Sequence, residues 1–208
     1  MKELFSLNSP WVQRFAMLTN LVMLNILWLI CCIPVVTAGA ATAALYHTVF
    51  QFHDKVDDAV LRPFFRGFRC NFKQATFLLL PLLALLGLLG FDMVYLVSQG
   101  KGTAVLFLLV LAALLVMGIL THIFPLIARF EMGTKALMRT AFSLAILHLP
   151  ATLMVIALTL LPAFLLALFP AQFLQFGVAW AGIWFAAIAY FFGKFLLKTW
   201  AKHIPPQV

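Results

Sequence analysis

Charge is scarce in this sequence: Asp, Glu, Lys and Arg make up 10% of its 208 residues, where a soluble domain carries about a quarter. Acidic residues are the scarcest part, six against fourteen basic ones. Phosphoryl or glycosyl transfer needs several carboxylates at one face, and the only cluster is Asp54, Asp57 and Asp58, which reads as a solvated helix end. Intramembrane proteolysis needs an aspartate dyad or a nucleophile beside its base, yet Asp92 is the one acidic residue inside a long apolar run. Cys31, Cys32 and Cys70 form neither a CxxC pair nor a disulfide framework. HExxH, GxSxG, a Walker loop and a dinucleotide fingerprint are all absent. His122 and His148 have no carboxylate or cysteine at metal-ligand spacing. These absences imply no enzyme, no cofactor and no metal.

Apolar residues are abundant instead, 65% of the chain, with a mean hydropathy of +1.09. An apolar stretch of about 18 residues or more reads as a membrane span, and several occur. Runs such as LLLPLLALLGLLG (78–90) do not alternate apolar and polar residues, which excludes a transmembrane β-barrel. The class is all-α, a polytopic membrane helical bundle whose first partner is the lipid bilayer. The net charge of +8 and pI near 9.8 suit the basic cytoplasmic loops of such a protein and do not call for nucleic acid.

In chain order, Ser9-Pro10 starts a first span over about 11–33, with proline at the first helical position. Pro34 disfavours helix in the residue before it, and Thr37 is placed to cap a second helix over about 38–53. Ala38-Gly39-Ala40 resembles a signal cleavage site, but the preceding run is long and holds Asn20 and Asn25, so the segment reads as a retained helix. Residues 62–74 read as an amphipathic interfacial helix: Arg62, Arg66, Arg69 and Lys73 recur at spacings of 3 and 4, beside Phe64, Phe65, Phe68 and Phe72. Further spans are expected over 75–98, 103–128, 149–169 and 173–197, with a second interfacial helix over 136–148. The whole chain forms a single integral membrane domain, arranged as helical hairpins with cytoplasmic amphipathic helices between them.

If residues 38–53 span, there are six crossings, and thirteen basic residues lie on the side of the N-terminus against Lys101 alone on the other. If they do not, there are five, and the split is eleven against three. Basic residues gather on the cytoplasmic side, so the sharper separation favours about six spans, with five as the alternative. Both termini are then cytoplasmic.

A strongly polar residue inside a membrane is a functional hypothesis by default. The candidates are Asn25, His47, Asp92 and His122. Asn25 lies nine residues before Pro34 and His47 ten after Thr37, so the two are expected to hydrogen-bond across the hairpin at similar depth. Pro34 and Thr37 make its turn. Gly39, Ala43 and His47 share one helix face, a small-residue surface that lets backbones approach. Asp92 is expected to pair with Lys101 across the next turn. His122 and His148 are expected near one another. Trp11, Trp200 and Tyr95, close to span ends, suit an interfacial aromatic belt.

The stretch LWLICCIPVVTAGAATAALYHTVF (27–50) followed by FFRGFRCNFKQAT (64–76) resembles the YesL-like family of small bacterial integral membrane proteins. The resemblance is close over about 24–77 and rests on hydropathy and length beyond. Many relatives carry proline after the turn glycine, where this chain has Ala40. The family has no established activity, so the resemblance implies no catalytic residues. Its members are often encoded beside carbohydrate-uptake transporters, which implies an accessory or regulatory role in the bacterial cell membrane, packed against permease subunits. The alternative is a small-solute transporter or channel acting as a homo-oligomer, with the four polar candidates lining one cavity.

Overall fold

The computed structural model describes residues 10–54, 59–100 and 103–203. It is all-α: α1 (Pro10–Cys32), a 3-10 turn (Val35–Thr37), α2 (Ala38–Asp54), α3 (Leu61–Ser98), α4 (Thr103–Arg129), α5 (Thr134–Leu147), α6 (Leu149–Leu168) and α7 (Pro170–His203).

α1 stops because Pro34 holds an extended backbone, φ −79° and ψ 120°. The Thr37 hydroxyl donates to the carbonyls of Cys31 at 2.5 Å and Pro34 at 2.8 Å. It thereby satisfies the Cys31 carbonyl, one of those that the end of α1 leaves open. Thr37 closes the first helix and does not cap the second, since a cap at α2 would require its oxygen to accept a backbone N–H.

Five helices among the described residues are long and apolar enough to cross a membrane, within α1, α3, α4, α6 and α7. α2 is not one of them. At 17 residues it is about 25 Å long, short of a hydrocarbon core of about 30 Å. Of the six expected spans, 38–53 is thus the one with no candidate among the described residues, which agrees with the five-span alternative. The reason lies in packing: α2 is surrounded by α1, α3, α4 and α7, and ten of its residues, from Gly39 to Phe50, are buried. A helix that meets protein on most sides needs small residues more than hydropathy.

A second correction concerns residues 62–74 and 75–98, which form one continuous helix of 38 residues, about 57 Å long. No glycine or proline stands at the junction Lys73-Gln74-Ala75-Thr76, so nothing stops the helix there. Pro81 is carried inside it.

Burial divides the bundle. α3 is buried at Pro63, Phe64, Gly67, Ala75, Leu78, Leu79 and Leu82, and at no described residue after that. α4 joins the core only from Val116 onward, and α6 only at Thr152, Val155 and Ile156. The second half of α3 and the first half of α4 leave Phe91, Val94, Val97, Phe107 and Leu108 more than 60% exposed. The packed half contains α2, α5 and the adjoining parts of the other helices. Trp200 belongs to it too: 4% exposed, with its ring 5.7 Å from Phe50 and 5.0 Å from Phe130, it is a core residue and not part of an interfacial belt. Tyr95 is 56% exposed. The side chain of Trp11 lies outside the described residues.

Candidate functional site

Three of the four polar candidates, Asn25, His47 and His122, sit in the packed half at separate helix junctions. Asn25 on α1 is fully buried, and its Oδ1 accepts a hydrogen bond from the Ala186 N–H of α7 at 2.8 Å. His47 on α2 faces elsewhere. Its Nε2 lies 3.1 Å from the Gln51 side-chain nitrogen, and its Nδ1 is 3.4 Å from the Ala128 carbonyl of α4. An amide nitrogen can only donate, so Nε2 accepts, and the ring proton sits on Nδ1, which donates to Ala128. The hydrogen bond expected between Asn25 and His47 is therefore not made. Equal distance from the turn matched their depth, but helical phase turns one residue to α7 and the other to α4.

Glycine sets how closely α2 and α3 approach. A Cβ on Gly39 would lie 2.9 Å from the Ala75 carbonyl oxygen, and one on Gly67 would lie 2.9 Å from the Cβ of His47. These two contacts run α3 antiparallel to α2, with residue 39 beside 75–79 and residue 47 beside 67. Ala43 is fully buried on the same helix. Thr76 secures the turn end by donating to the Val36 carbonyl at 3.1 Å. At the other end Arg129 of α4 pairs with Asp54 of α2 and lies over the Phe50 ring at 5.9 Å.

His122 on α4 is fully buried. His148 lies close enough for its charge to be felt at His122, as the sequence suggests, and the group that the His122 ring hydrogen-bonds is Thr152, with Nε2 2.8 Å from the hydroxyl. Thr152 directs its own hydroxyl hydrogen to the His148 carbonyl at 3.0 Å, so His122 donates from Nε2. Its Nδ1 is left enclosed without a partner, beside the Phe192 ring at 5.5 Å. Among the described residues no group of three His, Cys, Asp or Glu is gathered that could hold a metal.

Asp92 is exposed on the second half of α3, remote from the other three candidates; Lys101, its expected partner, lies outside the described residues. Arg62, Arg66, Arg69 and Lys73 are all exposed along one side of α3, opposite the buried Pro63, Phe64 and Gly67. The three arginines, with Leu61, Phe65 and Cys70, border a shallow basic groove.

One feature escapes the sequence reading. Where α1, α2, α3, α4, α6 and α7 meet there is a cavity of about 330 Å³. Its wall is mostly aliphatic and aromatic, with polar groups from Trp28, Thr42, Tyr46, Thr121 and Thr159. The Trp28 indole N–H donates to the Thr42 hydroxyl at 3.1 Å. Asn25, His47, Asp92 and His122 do not line it. The available signal was Thr42 and Tyr46, four apart on α2, but a lone hydroxyl pair in an apolar helix is easily read as ordinary packing.

Fold and composition together define an integral membrane protein, an all-α bundle of apolar helices. Residues 21–93 match the model of a family described as "Protein of unknown function, DUF624", a match that agrees with the YesL-like resemblance. The matched stretch covers the second half of α1, the turn, α2 and α3 through Met93, that is, the chain segment that builds the α2–α3 glycine contacts. No curated protein and no solved structure matches the chain.

Proposed function

We propose that this is a non-enzymatic subunit of the bacterial cell membrane that packs against the permease of a carbohydrate-uptake transporter. The observation that carries this reading is the open half of the bundle. From Leu83 to Ser98, α3 has no buried residue, and a Cβ on Gly87 or Gly90 would meet nothing within 4 Å. Small residues on a lipid-exposed helix let another helix approach closely. The small face of α2 cannot serve a partner, because α3 already occupies it. The type of partner comes from the family resemblance, and the surface from the geometry. The basic side of α3, Arg62 to Lys73, then faces the cytoplasmic headgroup layer, where anionic lipids attract it.

A transporter or channel acting alone would need its polar residues along one path. Asn25, His47, Asp92 and His122 point to four different surroundings, which favours the accessory reading.

The test is purification from native membranes in mild detergent, followed by identification of what accompanies the protein. Permease subunits should co-purify, and replacing Gly87 and Gly90 by Trp should release them while leaving the melting temperature unchanged. Reconstituted protein alone should give no solute flux. Flux from the lone protein that is lost in Asp92→Asn or His47→Ala would replace this reading with the transporter.

A further inference from the structure

The central cavity has a chemistry of its own. No charged side chain lines it, so a charged guest would lose its hydration without compensation. Three of its hydroxyls are already committed as donors within their helices: Thr42 to Ala38, Thr121 to Met117 and Thr159 to Val155, each at 2.8–2.9 Å. Their oxygens can still accept, and Thr42 does so from Trp28.

Tyr46 is different. It is only 6% exposed, and its hydroxyl makes no hydrogen bond among the described residues. Among the described residues the fully enclosed side-chain atoms left without a partner are His122 Nδ1 and Trp200 Nε1. The Tyr46 oxygen is not among them, so it keeps accessible surface, and the space the residue borders is this cavity. A buried phenol usually finds a partner. The cavity that Tyr46 lines offers a place for one. The α3 part of the wall, Leu83 and Leu86, is only half-buried, which gives a guest lateral access from the lipid.

We propose that the cavity binds an uncharged, mainly aliphatic molecule carrying one hydroxyl or carbonyl group, which hydrogen-bonds to the Tyr46 hydroxyl while its chain lies against Trp28, Phe124 and Phe185. A volume of about 330 Å³ stands at the lower end of the range of small-molecule sites, about 300–1,000 Å³. The same chemistry could be presented by a free long-chain alcohol or by the ester end of a membrane lipid chain.

Trp28 is the reporter, because it lines the cavity and bromine quenches indole fluorescence on contact. The protein in phosphatidylcholine nanodiscs is titrated with 6-bromohexan-1-ol and with 1-bromohexane, and the difference between wild type and Trp28→Phe isolates the Trp28 signal. The alcohol should quench saturably. Tyr46→Phe should raise its half-saturating concentration roughly five- to tenfold, the worth of one net hydrogen bond, and should leave bromohexane unaffected. Nanodiscs made with chain-brominated phosphatidylcholine distinguish the source: quenching there that weakens in Tyr46→Phe assigns the site to a lipid ester. Because Trp28→Phe could disturb the wall, retention of the alcohol is also followed by native mass spectrometry in Ala189→Leu, whose added side chain projects from a buried lining position and should abolish it. Non-saturable quenching, or equal affinity for the alcohol in wild type and Tyr46→Phe, overturns the proposal.

Discussion

The two halves of this bundle use the same kinds of residue for opposite ends. In the packed half, Gly39 and Gly67 bring α3 against α2 so closely that a methyl group has no room. In the open half, Gly87 and Gly90 sit on the same helix α3 with empty space beside them. Polar groups divide likewise: Asn25, His47 and His122 each find a partner on another helix or the next turn, while Asp92 is exposed. Within a bilayer, apolar contact alone gives helices little reason to associate, because lipid is equally apolar; close packing and interhelical hydrogen bonds must do it. The packed half has both, whereas from Leu83 to Ser98 α3 buries no residue.

The sharpest way to break this contrast is one methyl group placed in each half. Gly67→Ala sets a Cβ 2.9 Å from the His47 Cβ, a clash of backbone-near atoms that no rotamer relieves. It should cost about 2–3 kcal/mol, the upper part of the usual overpacking range. Gly87→Ala and Gly90→Ala should be neutral or stabilising by up to about 1 kcal/mol, the helix-propensity difference between the two residues. Melting temperatures in detergent read both. Pairing Gly67→Ala with His47→Gly, which removes the opposing Cβ, should cost at least about 1 kcal/mol less than the sum of the two single changes, since contacting residues couple by about 0.5–3 kcal/mol. Equal effects in the two halves would mean that α2 and α3 are not packed as described.

Next in size is Asn25→Leu. It removes the acceptor for the Ala186 N–H and loosens α1 from α7, at a cost of about 1–2 kcal/mol, set between an ordinary buried hydrogen bond and the smaller values found in membranes. Asp92→Leu, its counterpart in the open half, should leave the melting temperature of the lone protein unchanged or raise it. A disulfide should form more readily in Asn25→Cys/Ala186→Cys than in Asn25→Cys/His47→Cys, followed by mobility on a non-reducing gel.

The fold class was legible because hydropathy reports contact with lipid, and most of these helices touch lipid. The same signal misjudged α2 for a physical reason. Its surroundings are protein, so alanine, glycine and threonine serve it better than leucine, and its length is not tied to bilayer thickness. The polar candidates could be picked out by residue type, and their hydrogen-bond partners could not. Asn25 and His122 are buried and His47 is half-buried, but each partner is set by helical phase and by helices distant in sequence: Ala186 is 161 residues from Asn25, and Ala128 is 81 from His47. Gly67 was hidden inside an aromatic and basic run whose arginines drew attention to the exposed side, while the glycine on the other side fixed the contact. The cavity at Tyr46 could not be read at all, because six helices contribute to it.

The smallest expected effect tests whether the packed half needs its peripheral charges. Arg129 and Asp54 join the ends of α4 and α2, but their side chains are 38% and 35% exposed. Ion pairs so open to solvent are worth about 0.2–1 kcal/mol and weaken with salt. Arg129→Gln also gives up the position over the Phe50 ring, an exposed cation–π contact worth about 0.5–1 kcal/mol. Arg129→Gln should therefore destabilise by about 1 kcal/mol at low salt. Asp54→Asn, which leaves the cation on the ring, should cost less, and the gap between the two variants should persist in 0.5 M salt. A loss approaching that of Gly67→Ala would make charge pairing, rather than the close approach of α2 and α3, the feature that distinguishes the packed half from the open one.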